Sequence, residues 1–135
     1  MKKIFTLVVL AAFIILGTAS CKKYEEGPAL SLRSKTSRLA GDWVLKKATQ
    51  DGVDVTTNIG IDYITFEKEG DYLVVGGGME VTGTWSFDDK KENIILKEKG
   101  SADQQKLKII KLKNKELWYD VEVGTQVIRY QWEPK

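Results

Sequence analysis

The stretch that decides the fold is residues 117–132, which reads LWYDVEVGTQVIRYQW. Apolar and polar side chains alternate on both sides of the pair Gly124-Thr125. A period of two is typical of a β-strand with one buried face, and a glycine-containing pair between two such strands predicts a β-hairpin. The face expected to turn inward carries Leu117, Tyr119, Val121 and Val123 on the first strand, and Ile128, Tyr130 and Trp132 on the second.

The same alternation extends toward the N-terminus. In residues 80–87 one face carries Val81, Gly83, Trp85 and Phe87. Short runs rich in β-branched and aromatic residues, bounded by turn residues, predict strands. The predicted strands are Trp43–Thr49, Ile61–Glu67, Asp71–Val75, Glu80–Phe87, Asn93–Lys97, Gln104–Leu112, Leu117–Val123 and Gln126–Trp132, with a ninth piece near Val53–Thr56.

Turn residues separate these runs. Asp51-Gly52 and Glu69-Gly70 can supply the positive φ that tight turns need, and Gly76-Gly77-Gly78 predicts a further hairpin loop. Nothing after residue 41 has the pattern of a long amphipathic helix. Eight short strands in up-and-down order predict an all-β fold, either a closed antiparallel barrel or a sandwich, and closure removes exposed strand edges.

The N-terminus has the pattern of a secretion signal. Two lysines precede the apolar run 4–16, and the small residues 17–20 follow it. A membrane-spanning helix needs about 20 apolar residues, more than this run contains. Residues 1–20 are therefore predicted to be a signal peptide.

Cys21, which follows directly, is the only cysteine. Small residues before a cysteine at this position resemble the lipobox of bacterial lipoproteins, which implies cleavage before Cys21 and lipidation of its sulfur. The alternative is an ordinary secretion signal. The charged residues 22–26 resemble lipoprotein sorting signals. The expected location is the cell envelope, at the periplasmic or outer face of the outer membrane, with the acyl chains of Cys21 in the bilayer.

Residues 22–31 are polar, contain Gly27-Pro28, and are predicted to be a linker. Residues 31–40 predict a short helix capped by Ser31.

At Gly41-Asp42-Trp43 the sequence resembles the lipocalins and related calycin barrels, in which Gly-x-Trp opens the first strand. The further sequence Phe66…Gly70-x-Tyr72, then Gly83-Thr84-Trp85, is similar to small lipocalin-like lipoproteins of Gram-negative bacteria. The resemblance implies an eight-stranded up-and-down barrel. It also implies that Trp43 plugs the closed end and that Arg129 packs over it. The expected organisation is a signal peptide (1–20), a lipidated tether with a short helical turn (21–40), and the barrel (41–135).

The family resemblance also implies a small lipophilic ligand inside the barrel. The lining predicted from the apolar faces is Phe66, Trp85, Phe87, Tyr119, Val121 and Tyr130. The same aromatic residues suit a filled core equally well. The alternative function is a solid barrel whose exterior, for instance an exposed aromatic patch around Trp118, binds a protein or glycan.

Composition argues against other function classes. Loss of Lys2 and Lys3 with the signal peptide would reduce 21 basic residues to 19, equal to the 19 acidic ones, so no basic surplus suggests nucleic-acid binding. The chain has no histidine, which excludes the usual serine triad. The sequence predicts no catalytic residue, no metal site and no cofactor.

Overall fold

A computed structural model describes residues 33–135, so the predicted signal peptide, Cys21, Ser31 and most of the tether lie outside the described residues. The described part contains two short helices and nine strands. They are α1 (Lys35–Leu39), β1 (Gly41–Gln50), β2 (Val53–Asp54), α2 (Thr56–Ile59), β3 (Tyr63–Phe66), β4 (Asp71–Gly76), β5 (Met79–Phe87), β6 (Asn93–Glu98), β7 (Gln104–Lys113), β8 (Glu116–Val123) and β9 (Gln126–Pro134).

The sheet closes on itself. Each strand from β3 to β8 pairs antiparallel with the next, and β1 pairs with both β3 and β9. At the seam Trp43 lies opposite Pro134, and Gln50 lies opposite Ile128. β2 pairs only with the end of β1. The predicted eight-stranded up-and-down barrel is therefore confirmed, and the sandwich is excluded.

Alternation sets the interior, with two local corrections. The buried apolar side chains form one cluster inside the barrel, and they come from every long strand. A register shift between Leu45 and Lys47 on β1 turns Ala48, rather than Lys47, inward. A second register shift, on β7 between Ile109 and Lys111, turns Leu112 inward in place of Lys111. An extra residue in one strand reverses which side chains face the core, and here each bulge keeps a lysine out of it.

Helix α1 covers the end of the barrel where β1 begins. Its N-cap is Ser34, whose side chain accepts a hydrogen bond from the Ser37 amide, so the predicted start at Ser31 is wrong for this helix. A serine hydroxyl directly before the first turn accepts from an amide that would otherwise lack a partner within the helix. The Trp43 indole nitrogen donates to the carbonyl of Leu39 at 2.8 Å, and a guanidinium nitrogen of Arg38 donates to the carbonyl of Leu112 at 2.9 Å.

Gly83 is required by a close approach inside the barrel. A Cβ at this position would overlap the Lys97 carbonyl oxygen of β6 and lie 2.7 Å from the Tyr72 ring. The missing side chain lets the Tyr72 ring cross β5 toward β6. Gly76 has the same role against the backbone of Gly60 and Ile61, the residues between α2 and β3.

Replacing Trp43 with phenylalanine removes the indole donor and leaves the Leu39 carbonyl buried without its partner. We expect Trp43→Phe to lower the free energy of unfolding by about 2 kcal/mol, because a buried polar group that loses its hydrogen bond is costly. Urea unfolding of residues 22–135 measures this. The matched control is Trp118→Phe, half-buried on the outer face of β8, which should cost less than about 1 kcal/mol. Equal losses in the two variants would contradict the role of the Trp43–Leu39 bond.

Candidate functional site

The end of the barrel opposite α1 opens into a cavity of about 380 Å³. Its walls come from the inward faces of β3 to β9, and its mouth lies between the turns that join β4 to β5, β6 to β7, and β8 to β9. The lining residues in the deeper part are Ile61, Ile64, Tyr72, Val74, Val81, Leu96, Leu107, Tyr119, Val121, Tyr130 and Trp132, and those toward the β6–β7 side of the mouth are Glu98, Ser101, Asp103, Gln104 and Gln105.

One wall of the cavity is aromatic. Tyr119 lies on β8 directly opposite Tyr130 on β9, and Trp132 lies two residues deeper on β9. The three ring centroids are 5.3 to 6.1 Å apart, and the Tyr130 and Trp132 planes differ by only 15°. The rest of the deep lining is mostly branched aliphatic. A flat apolar molecule could pack along this wall, since offset-stacked rings at such distances attract one another.

Tyrosine hydroxyls supply the polar groups inside. Burial raises the pKa of Tyr119, and nearby Tyr130 raises it further, while the Trp132 indole acts in the opposite direction. Burial also raises the pKa values of Tyr130 and Tyr72, and the charge of Glu98 adds to the rise at Tyr72. All three therefore stay protonated at neutral pH and can donate a hydrogen bond.

The indole nitrogen of Trp132 is buried and has no hydrogen-bond partner among the described residues. Trp132 itself is 1% exposed and lines the inner end of the cavity. The Tyr119 hydroxyl is close enough for the indole to lower its pKa, but the two groups do not reach hydrogen-bond geometry. Buried donors normally have a partner, so this one is unusual.

Three of the six predicted lining residues, Tyr119, Val121 and Tyr130, do line the cavity. The prediction is wrong for the other three, Phe66, Trp85 and Phe87, which are absent from its lining. The Trp85 ring packs edge-on against Phe66 at 5.9 Å and against Phe87 at 5.3 Å. These residues face inward as predicted, but they lie near the closed end, where the interior is filled.

Trp43 is 2% exposed and lies at the closed end, where the family resemblance placed it. The predicted packing of Arg129 over Trp43 is wrong. Arg129 is paired with Thr49, six residues along β1 from Trp43, a distance of about 20 Å at 3.3 Å per residue. Its guanidinium instead forms two hydrogen bonds, of 2.8 and 3.0 Å, with the Asp120 carboxylate across the β8–β9 pair. Arg38 is the arginine buried at the closed end.

Sequence reasoning missed thirteen of the sixteen lining residues, and Trp132 and Glu98 show two different reasons. Trp132 was on the predicted inward face of β9, so alternation already contained the signal for it. Glu98 follows the predicted end of its strand at Lys97, and nothing in the local pattern indicates that it borders the cavity. Its placement depends on β6 continuing to Glu98, which lies opposite Gly83.

The family model of the lipocalin-like domain matches residues 39–119. The chain belongs to this family. A solved structure with the same fold is the NMR structure of a protein from Bacteroides uniformis ATCC 8492, which has 23% sequence identity and a TM-score of 0.52 over 71% of this chain and 89% of the other. No curated protein matches the sequence.

The lipocalin-like barrel is an architecture that can hold one small ligand, and the cavity lies in its interior. Within residues 33–135 no helix is long and apolar enough to cross a membrane. In the same residues, no three histidine, cysteine, aspartate or glutamate side chains lie together as a metal site would require.

Tyr119 should make stability fall at alkaline pH. In the unfolded chain a tyrosine has a pKa near 10 and loses its proton above that pH, whereas burial raises the pKa of Tyr119 in the folded protein. The folded state therefore binds more protons than the unfolded state, and its free energy of unfolding falls as the pH rises. One such group contributes a slope of up to about 1.4 kcal/mol per pH unit. Urea unfolding at intervals above pH 9 should therefore show a shallower decline for Tyr119→Phe than for the wild type. Parallel declines would contradict the burial of this hydroxyl in solution.

Proposed function

We propose that this protein is a lipid-anchored carrier that binds one small hydrophobic molecule in its barrel at the outer membrane. The observation that carries the ligand part is the cavity of about 380 Å³, open at one end and lined by aliphatic and aromatic side chains. Ligand sites are typically concave, mainly apolar and about 300–1,000 Å³ in volume, with a few polar groups that orient the ligand.

The rim of the mouth supports this proposal. Val53, Met79 and Val123 are between 54% and 70% exposed, and all three lie on or beside turns at the open end. Exposed apolar side chains that surround an apolar cavity lower the cost of moving a lipophile from a membrane or partner into it. The closed end shows no comparable exposed residue within the described chain.

A neutral fluorescent lipophile tests the carrier function. N-phenyl-1-naphthylamine should bind residues 22–135 with a rise in fluorescence, since the dye emits more strongly in apolar surroundings. Val121→Trp places a large side chain at the cavity wall and should weaken binding at least tenfold, a loss of roughly 1.4 kcal/mol.

The matched control is Val127→Trp on the neighbouring strand, whose side chain is 39% exposed and does not line the cavity. It should bind the dye like the wild type. No binding by the wild type, or equal binding by both variants, would refute an internal site.

The anchoring part of the proposal rests on the sequence of residues 1–26. One acyl chain holds a protein on a bilayer only reversibly, at about 0.8 kcal/mol per buried CH₂, whereas two or three chains on Cys21 would hold it stably. The open barrel would then remain within tether length of the lipid from which its ligand comes.

Metabolic labelling with an alkyne fatty acid tests the anchor. The wild-type protein should take up label and remain in the membrane fraction, while Cys21→Ala should take up none, because the alanine has no sulfur to acylate. Ser20→Ala keeps a small residue before the cysteine and should label normally. Equal labelling of Cys21→Ala and wild type would refute lipidation at Cys21.

The alternative function, a surface module for a protein or glycan, is less well supported. It expects a filled barrel and an exposed aromatic patch around Trp118. Trp118 is half-buried, and the Lys111 ammonium lies 4.0 Å from its ring centroid, which covers the face that a partner would contact.

A further inference from the structure

The two ends of the cavity differ in polarity, and this difference indicates which ligands it can take. At the inner end, the Trp132 nitrogen is a buried donor without an acceptor. The other buried indoles of the barrel do not share this feature: Trp43 donates to the Leu39 carbonyl and Trp85 to the Glu67 carbonyl, each at 2.8 Å. An unmade hydrogen bond of this kind destabilises the empty barrel, and a ligand oxygen that reaches the nitrogen from the cavity would supply the missing acceptor.

The Tyr119 hydroxyl lies beside this donor. Its burial keeps it protonated, so the inner end of the cavity offers two N–H or O–H donors, one from Trp132 and one from Tyr119. A carbonyl, ether or hydroxyl oxygen can accept from both. The inner end therefore suits a hydrogen-bond acceptor better than a purely hydrocarbon group.

The mouth carries negative charge. Glu98 and Asp103 border it, whereas no lysine or arginine is among the residues that line the cavity. Glu98 acts on the interior, because its charge contributes to the raised pKa of Tyr72. The neighbouring lysines, Lys97 and Lys99, border a separate groove along β4–β6 but not the cavity, whereas Glu98 borders both.

Charge at the mouth discriminates between ligands. A carboxylate placed there would meet two like charges at the edge of a low-dielectric cavity, where repulsion is stronger than in bulk water. An ammonium group would be attracted, and an uncharged end would be tolerated. Rejection by like charge is a common source of specificity in binding sites.

Volume limits the ligand's size. At roughly 30 Å³ per water molecule, 380 Å³ corresponds to about a dozen waters, and so to a small molecule of roughly 10–20 non-hydrogen atoms. We propose that the cavity binds a neutral or cationic lipophile of this size with a hydrogen-bond acceptor at its inner end, and that it excludes fatty-acid anions. This inference rests on the proposed carrier function and specifies its ligand class.

Three probes with one shared chain test the inference. Each is a straight chain of about eleven carbons with a methyl ketone at one end. The other end is a methyl group, a trimethylammonium or a carboxylate. Competition with N-phenyl-1-naphthylamine on residues 22–135, which contain the whole closed barrel and its core, gives the three affinities. The cationic and neutral ketones should bind at least tenfold more tightly than the carboxylate.

Removal of the charge should remove the discrimination. In the double variant Glu98→Gln with Asp103→Asn, the carboxylate probe should bind within about threefold of the neutral one. The matched control is Glu80→Gln, a charge removed from the exposed outer part of β5, which should keep the wild-type preference.

Nuclear magnetic resonance of ¹⁵N-labelled protein reports the inner end. The Trp132 indole proton, assigned through Trp132→Phe, should move downfield when a ketone probe binds, because it gains an acceptor. The indole protons of Trp43 and Trp85 already have acceptors and should move little.

The outcomes separate this inference from the carrier function. If the dye binds but the carboxylate probe binds as tightly as the others, or if the Trp132 proton does not move, the ligand class is wrong and the carrier function stands. If neither the dye nor any probe binds, both are wrong.

Discussion

The pairing of β1 with β9 is the constraint on which the rest of this structure depends. Seven residue pairs join β1 to β9 along the seam, and this contact turns a row of antiparallel strands into a barrel without long open edges. Once the sheet is closed, one face of every strand points into the barrel and the other faces solvent. Every later feature, the packed end, the cavity and its mouth, is a consequence of how that enclosed space is filled.

The enclosed space is filled unevenly along its length. Near the start of β1 it holds Trp43, Trp85 and Phe66, closed from outside by α1 through Leu39 and Arg38. Toward the turns at the other end the side chains leave the centre open, and this space is the cavity. Because protein interiors are otherwise densely packed, a space of this size in an apolar interior is a feature that function can use.

The polar groups in that space are few and lie at its two ends. Donors from Trp132 and Tyr119 are found at the inner end, and carboxylates at the mouth. Such a division orients a molecule as well as holding it. It also explains why an aromatic wall alone does not identify a ligand: stacking is tolerant of chemistry, whereas an unpaired donor and an unbalanced charge are selective.

The sequence by itself determined the strands, most of their inward faces and most of the turns, because alternation and turn chemistry are local properties of the chain. The place of Trp43 at the closed end came from the family resemblance. The sequence did not determine how far along the barrel axis each inward side chain lies. Phe87 and Val121 have the same pattern, yet one packs in the core and the other lines the cavity. Their heights depend on hydrogen-bond register, which is set between strands. For the same reason Arg129 joins Asp120 and Glu98 reaches the mouth, and only the tertiary structure decided both.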